Sequence, residues 1–100
     1  MNTVTNEQKG PVTPAMIHEA DFAILQAIAH RYALGMKLAS ESKAVFTRDE
    51  SDRVIELAIA RVNAGAATLS LPRHIGRGPL TMLYHGLLAS EMEIRREKND

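Results

Sequence analysis

From Thr13 to about Lys43 the apolar residues recur at helical spacing. Ile17, Ile24, Ile28 and Leu38 share one face, flanked by Leu25, Leu34 and Ala39. Thr13 is placed as an N-cap and Pro14 as the first helical residue. A second start signal is Thr47-Arg48-Asp49-Glu50, the pattern of a capping box. The helix it opens carries Val54, Ile55, Ala58, Ile59 and Val62 on one face. It is predicted to stop near Asn63-Ala64-Gly65, with Gly65 in the left-handed C′ position. Residues 66–77 are predicted to be a loop, and Gly78-Pro79 then opens a third helix. Its apolar face is Leu80, Leu83, Leu87 and Ile94, flanked by Met82, Leu88 and Met92, and Arg95, Arg96 and Lys98 suit the dipole of its last turn. Residues 1–12 are polar with Gly10-Pro11 as breakers and read as a disordered tail. No segment alternates like a strand, and no repeat is present. The fold class is all-α: one domain over residues 13–100, with one long helix, one short and one medium.

The long helix sets an expectation about assembly. About 29 residues span roughly 43 Å, against a radius of gyration near 13 Å for a compact domain of this size. An apolar stripe of that length cannot stay in water. An intertwined homodimer, each long helix covering the other's stripe, is therefore expected. A kink near Gly35 giving a monomeric bundle is the alternative.

Composition narrows the function classes. The 100 residues carry 12 basic and 12 acidic side chains, a formal net charge of zero. That argues against a nucleic-acid binder with a strong basic field and against an anionic-membrane anchor. No apolar run approaches a membrane span, and MNTVTNEQKG lacks the apolar stretch of a signal peptide. Without cysteine there is no thiol nucleophile, disulfide framework or zinc–thiolate site, and the expected compartment is the cytoplasm.

Global balance makes local imbalance informative. At about 100° per residue, Arg31 lies near −20° of Ile24, in the centre of the stripe between Ile28 and Leu38. A buried guanidinium is costly unless a carboxylate meets it. The partner is either a protein carboxylate across a dimer, such as Asp21 or a glutamate, or the carboxylate of a ligand gripped by the planar fork. In the last helix Glu91 and Arg95 stand four apart at the margin of the apolar face. They are expected either to pair with each other or to roof a polar site.

Other motifs are weak. His18, His30, His74 and His85 form no metal-ligand spacing, so no metal is expected. Residues Pro72 to Gly78 lead into a helix and could hold an anion, but they lack the Gly-Lys-Ser/Thr of a phosphate loop and read as a solvated linker. Met16, Met36, Met82 and Met92 read as core filler. Ser40, Ser42, Ser70 and Ser90 have no His–acid partners at recognisable spacing, so a nucleophilic hydrolase is unsupported.

Ile17-His18-Glu19-Ala20-Asp21, Ile24-Leu25 and Arg31-Tyr32-Ala33-Leu34, with Leu83 to Ser90 in the last helix, resemble the all-helical chorismate mutase family and its isochorismate-pyruvate lyase relatives. The resemblance covers about residues 14–98. It implies an intertwined homodimer that binds chorismate or a related cyclic dicarboxylate. Without cofactor or metal, it would promote pericyclic rearrangement to prephenate in aromatic amino acid biosynthesis (the shikimate pathway). The family works by positioning and preorganised charge. Its first-helix arginine matches Arg31. Its N-terminal arginine falls on Pro14, and its first-helix lysine falls on Ser42, with Lys43 one step beyond. A one-residue bulge near Gly35-Met36 would bring Lys43 into place. The second-helix Arg-Glu falls on Glu50-Ser51, flanked by Arg48 and Arg53. The last-helix serine and glutamine fall on Glu91 and Arg95. The implied catalytic set is Arg31, Lys43, Glu91 and Arg95, with Arg31, Ser42, Arg48 and Arg53 binding substrate. Glu91 would serve at the ether oxygen, as a protonated carboxyl or by orienting a donor. A lyase, or a catalytically inactive dimer binding a metabolite or protein, are the alternative functions.

Overall fold

The computed structural model describes residues 10–43 and 45–98, whose regular elements are all helical, with no strand among them. The elements are α1 (Pro14–Glu41), α2 (Arg48–Thr68), a one-turn α3 (Arg73–Ile75), a π turn (Gly76–Leu80) and α4 (Thr81–Lys98). Of the tail expected at residues 1–12, residues 1–9 lie outside the described residues, and Gly10, Pro11 and Val12 are exposed and non-helical. The chain divides into two compact units, residues 1–33 and 34–100.

In the first unit α1 starts as its sequence dictates. Thr13 Oγ1 accepts the Met16 N–H at 3.2 Å, satisfying one of the donors that a helix start leaves open. Ile17, Phe22, Ile24, Leu25 and Tyr32 are all exposed, Ile24 at 58%. Ile28 and Arg31 are half-buried, and Arg31 is not left without a partner.

In the second unit α1 continues through Gly35 and Met36 as regular α-helix to Glu41. The bulge that would have recruited Lys43 is not formed, and Lys43 lies exposed beyond the helix end. Gly35 and Ala39, four residues apart on one face, are buried there. The Thr47–Glu50 capping box forms in both directions: Glu50 N donates to Thr47 Oγ1 at 3.1 Å, and Thr47 N donates to Glu50 Oε1 at 2.8 Å.

α2 is longer than its sequence suggested. It passes through Gly65 and ends at Thr68, so it exceeds α4 in length and is not the short helix. The stop is a Schellman motif closed by the Leu71 N–H to the Ala66 carbonyl and the Ser70 N–H to the Ala67 carbonyl, both 3.0 Å. The left-handed position is Ser70, at φ 61°. Tertiary packing explains the extra turn: Ala66 is buried, and a Cβ on Gly76 would stand 3.6 Å from the Ala66 Cβ. The packing of α2 against the π turn, where Ala66 and Gly76 are both buried, outweighs the weak helix propensity of Gly65.

The predicted loop at 66–77 therefore shrinks to residues 69–72, and the last helical stretch begins at Arg73 rather than at Pro79. A proline inside an α-helix lacks an N–H and clashes with the carbonyl four residues back. The π turn accommodates Pro79 by widening the backbone there. Thr81 Oγ1 donates to the Gly76 carbonyl at 3.4 Å across the same turn.

α2 packs against α4 and the π turn. Among the described residues, the buried apolar ones are Ala39, Ala58, Ala66, Leu87, Leu88 and Met92. Half of these are alanine, so the helices approach closely but enclose little volume.

Gly65 sits in an exposed helix interior with nothing within 4 Å of an added Cβ. Gly65→Ala is expected to stabilise the protein by about 0.5–1 kcal/mol through helix propensity. Were Gly65 the left-handed C′ residue, the same change would destabilise it. Ser70→Gly, at the position that is left-handed, is likewise expected to stabilise by about 1 kcal/mol. Denaturant unfolding of the two variants checks both signs.

Candidate functional site

The second unit contains a half-open cleft of about 730 Å³ between the start of α2 and the end of α4. Its walls follow from helix periodicity. Arg48, Ser51, Asp52 and Ile55 are spaced i, i+3, i+4, i+7 on α2. Ala89, Met92, Glu93 and Arg96 repeat that spacing on α4, with Arg95 beside them. Val45 and Phe46, just before the N-cap, close one end. The apolar lining is Val45, Phe46, Ile55, Ala89 and Met92. The polar lining includes three guanidinium groups, of Arg48, Arg95 and Arg96, and two carboxylates, of Asp52 and Glu93.

Arg95 is the best-held of these cations. It is half-buried, with Nε and Nη1 removed from solvent, and its guanidinium carbon lies 5.0 Å from the centroid of the Phe46 ring. That is cation–π geometry. A residue before an N-cap often packs onto the residue four positions into the helix. Here that residue is the polar Ser51, and Phe46 serves Arg95 instead. An arginine fixed in this way loses little side-chain entropy when it meets an anion.

The residues singled out by sequence divide accordingly. Arg48 and Arg95 line the cleft together, from different helices. Glu91 is buried at 7% exposure on α4 and is not left without a partner, but the lining does not include it. Arg53 is exposed, one residue and about 100° around α2 from Asp52, and so off the cleft face. Ser42 is half-buried, its N–H donating to the Leu38 carbonyl at 2.9 Å, and Lys43 is exposed. Neither lines the cleft. Arg31 belongs to the first unit. Phe46, Asp52, Glu93 and Arg96 were not anticipated. The signal for three of them was the matched i, i+3, i+4, i+7 spacing of charged and apolar residues on α2 and α4.

Asp52 and Ile55 also border a second, more open groove of about 670 Å³ that continues along α2 and α4 past Glu56, Ile59 and Asn63 to Thr81 and His85. The Oδ1 atom of Asn63 is buried there without a hydrogen-bond partner. Among the described residues no cluster of three His, Cys, Asp or Glu side chains is placed to hold a metal ion.

The Phe46–Arg95 contact is open to a direct check. A double-mutant cycle with Phe46→Leu and Arg95→Met, read by denaturant unfolding, is expected to give a coupling of about 1 kcal/mol. Additive effects would show that the ring does not hold the guanidinium. Comparison with protein-family models, curated proteins and solved structures finds no match to this chain.

Proposed function

We propose that the chain is a chorismate mutase-like protein, a homodimer whose α2–α4 cleft binds chorismate or a related cyclic dicarboxylate and promotes its rearrangement to prephenate. One observation carries the reading: Arg48 from α2 and Arg95 from α4 line one cleft together with apolar side chains, and the ring of Phe46 at its end lies 5.0 Å from the Arg95 guanidinium. Guanidinium groups suit planar carboxylates, and the apolar lining suits the ring that bears them. A pericyclic reaction needs no nucleophile. Holding the substrate in its reactive conformation and stabilising charge that develops in the transition state are sufficient. Arg96 supplies a third cation at the same wall. Arg31, central in the stripe of α1 and half-buried, is a further proposed carboxylate-binding residue.

Isochorismate-pyruvate lyase activity is the related reading, because both reactions use the same kind of electrostatic clamp. A catalytically inactive binding dimer is favoured by a different fact. Glu91 and Arg95 are charged where the family that the sequence resembles carries serine and glutamine.

Incubating the protein with chorismate and separately with isochorismate, and identifying the products, separates these readings. Turnover of chorismate to prephenate is expected, with Arg48→Ala and Arg95→Ala each lowering kcat/KM about 10²-fold and Arg31→Ala abolishing activity while helicity is kept. Absence of turnover with both compounds would sink the enzyme readings, and tight binding without turnover would favour the inactive dimer.

A further inference from the structure

The net charge of zero conceals a segregated distribution. All 12 acidic residues lie outside residues 57–90, a stretch that holds Arg61, Arg73 and Arg77 together with His74 and His85. At its centre the turn from α2 into α3 exposes Leu69 at 73%, Leu71 at 43% and Ile75 at 37%. Arg73, His74 and Arg77, interleaved with these residues in the chain, are exposed as well. The turn is firmly built: the Schellman hydrogen bonds close one side, and Pro72, with the Ile75 N–H to the Pro72 carbonyl at 2.9 Å, fixes the other. Apolar and cationic side chains are thus held out at the end of a helical pair, where a frayed loop would have been free to fold them back.

We propose that this turn, residues 69–77, docks on an anionic lipid bilayer. Leu69, Leu71 and Ile75 would enter the headgroup–acyl boundary, and Arg73 and Arg77 would meet lipid phosphates and carboxylates. The charge suits an anionic surface, since residues 57–90 carry arginines and no carboxylate. Partners of other kinds fit less well. None of Leu69, Leu71, Arg73, Ile75 and Arg77 lines the two clefts described above, where an extended peptide would find walls on both sides. A second copy meeting the turn through the same patch would set arginine against arginine. A fluid anionic surface needs no matching cavity and tolerates a small convex wedge. This inference is independent of the cleft and its ligand.

The test is co-sedimentation of the full chain with vesicles of phosphatidylcholine alone and of phosphatidylcholine with one-third phosphatidylserine. Binding to the anionic vesicles only, weakened by added salt, is expected. Arg73→Glu with Arg77→Glu should lower the partition coefficient about 20-fold or more, and Leu69→Ser with Leu71→Ser about tenfold or more. All four positions are exposed, and circular dichroism checks that both variants keep their helicity. No binding to anionic vesicles, or binding that survives both pairs of substitutions, would overturn the proposal. Capture on immobilised polyglutamate without vesicle binding would overturn it in favour of an acidic protein partner.

Discussion

The apolar stripe along α1 stands exposed in the single chain, and that exposure is the physical constraint behind the proposed homodimer. Ile17, Ile24, Leu25, Leu34 and Leu38 are each more than half exposed. Burying the remainder of each is worth roughly 1 kcal/mol, so together they approach the 5–15 kcal/mol that separates a typical folded domain from its unfolded state. Only the glycine and alanine positions of the stripe, Gly35 and Ala39, are buried. The six buried apolar residues hold no large side chain that is wholly enclosed. A chain with this inventory has its greatest unused stabilisation on α1, and a second copy offers an identical stripe to cover it.

The second unit shows how a thin core can still place side chains with precision. Small residues at Ala58, Ala66 and Gly76 let α2 approach the π turn and α4 closely. That approach brings the start of α2 alongside the end of α4. The capping box fixes where α2 begins, which places Phe46 immediately before it, and Phe46 in turn holds Arg95. The cleft is thus a consequence of a cap, a short approach distance and two matched helical faces. Each is a local feature that the sequence specifies.

Much of the helical plan was legible from sequence because it rests on short-range chemistry. Thr13-Pro14 and the Thr47–Glu50 box are start signals whose hydrogen bonds span three residues, and both formed. The misreadings came from punctuation residues whose roles depend on distant packing. Gly65 has the identity of a helix stop, but the packing of α2 against the π turn at Ala66 carries the helix past it, and the left-handed position falls to Ser70. Pro79 has the identity of a helix start, but the π turn takes it inside. The site was half legible for the same reason. Arg48 and Arg95 were named from their positions relative to a family pattern, and helix phase then brought them to one cleft. Arg53 and Lys43 fell away because one lies a step around α2 and the other past the end of an unbulged α1. Phe46 could not be found from spacing alone, since its partner is nearly fifty residues distant in the chain.

The proposal that a second copy covers the stripe of α1 is tested most directly by thermal unfolding across about a hundredfold range of protein concentration, paired with sedimentation equilibrium. Folding coupled to association makes Tm rise with concentration. The account predicts that rise, together with the mass of two chains at micromolar concentration. A Tm independent of concentration with the mass of one chain would contradict it.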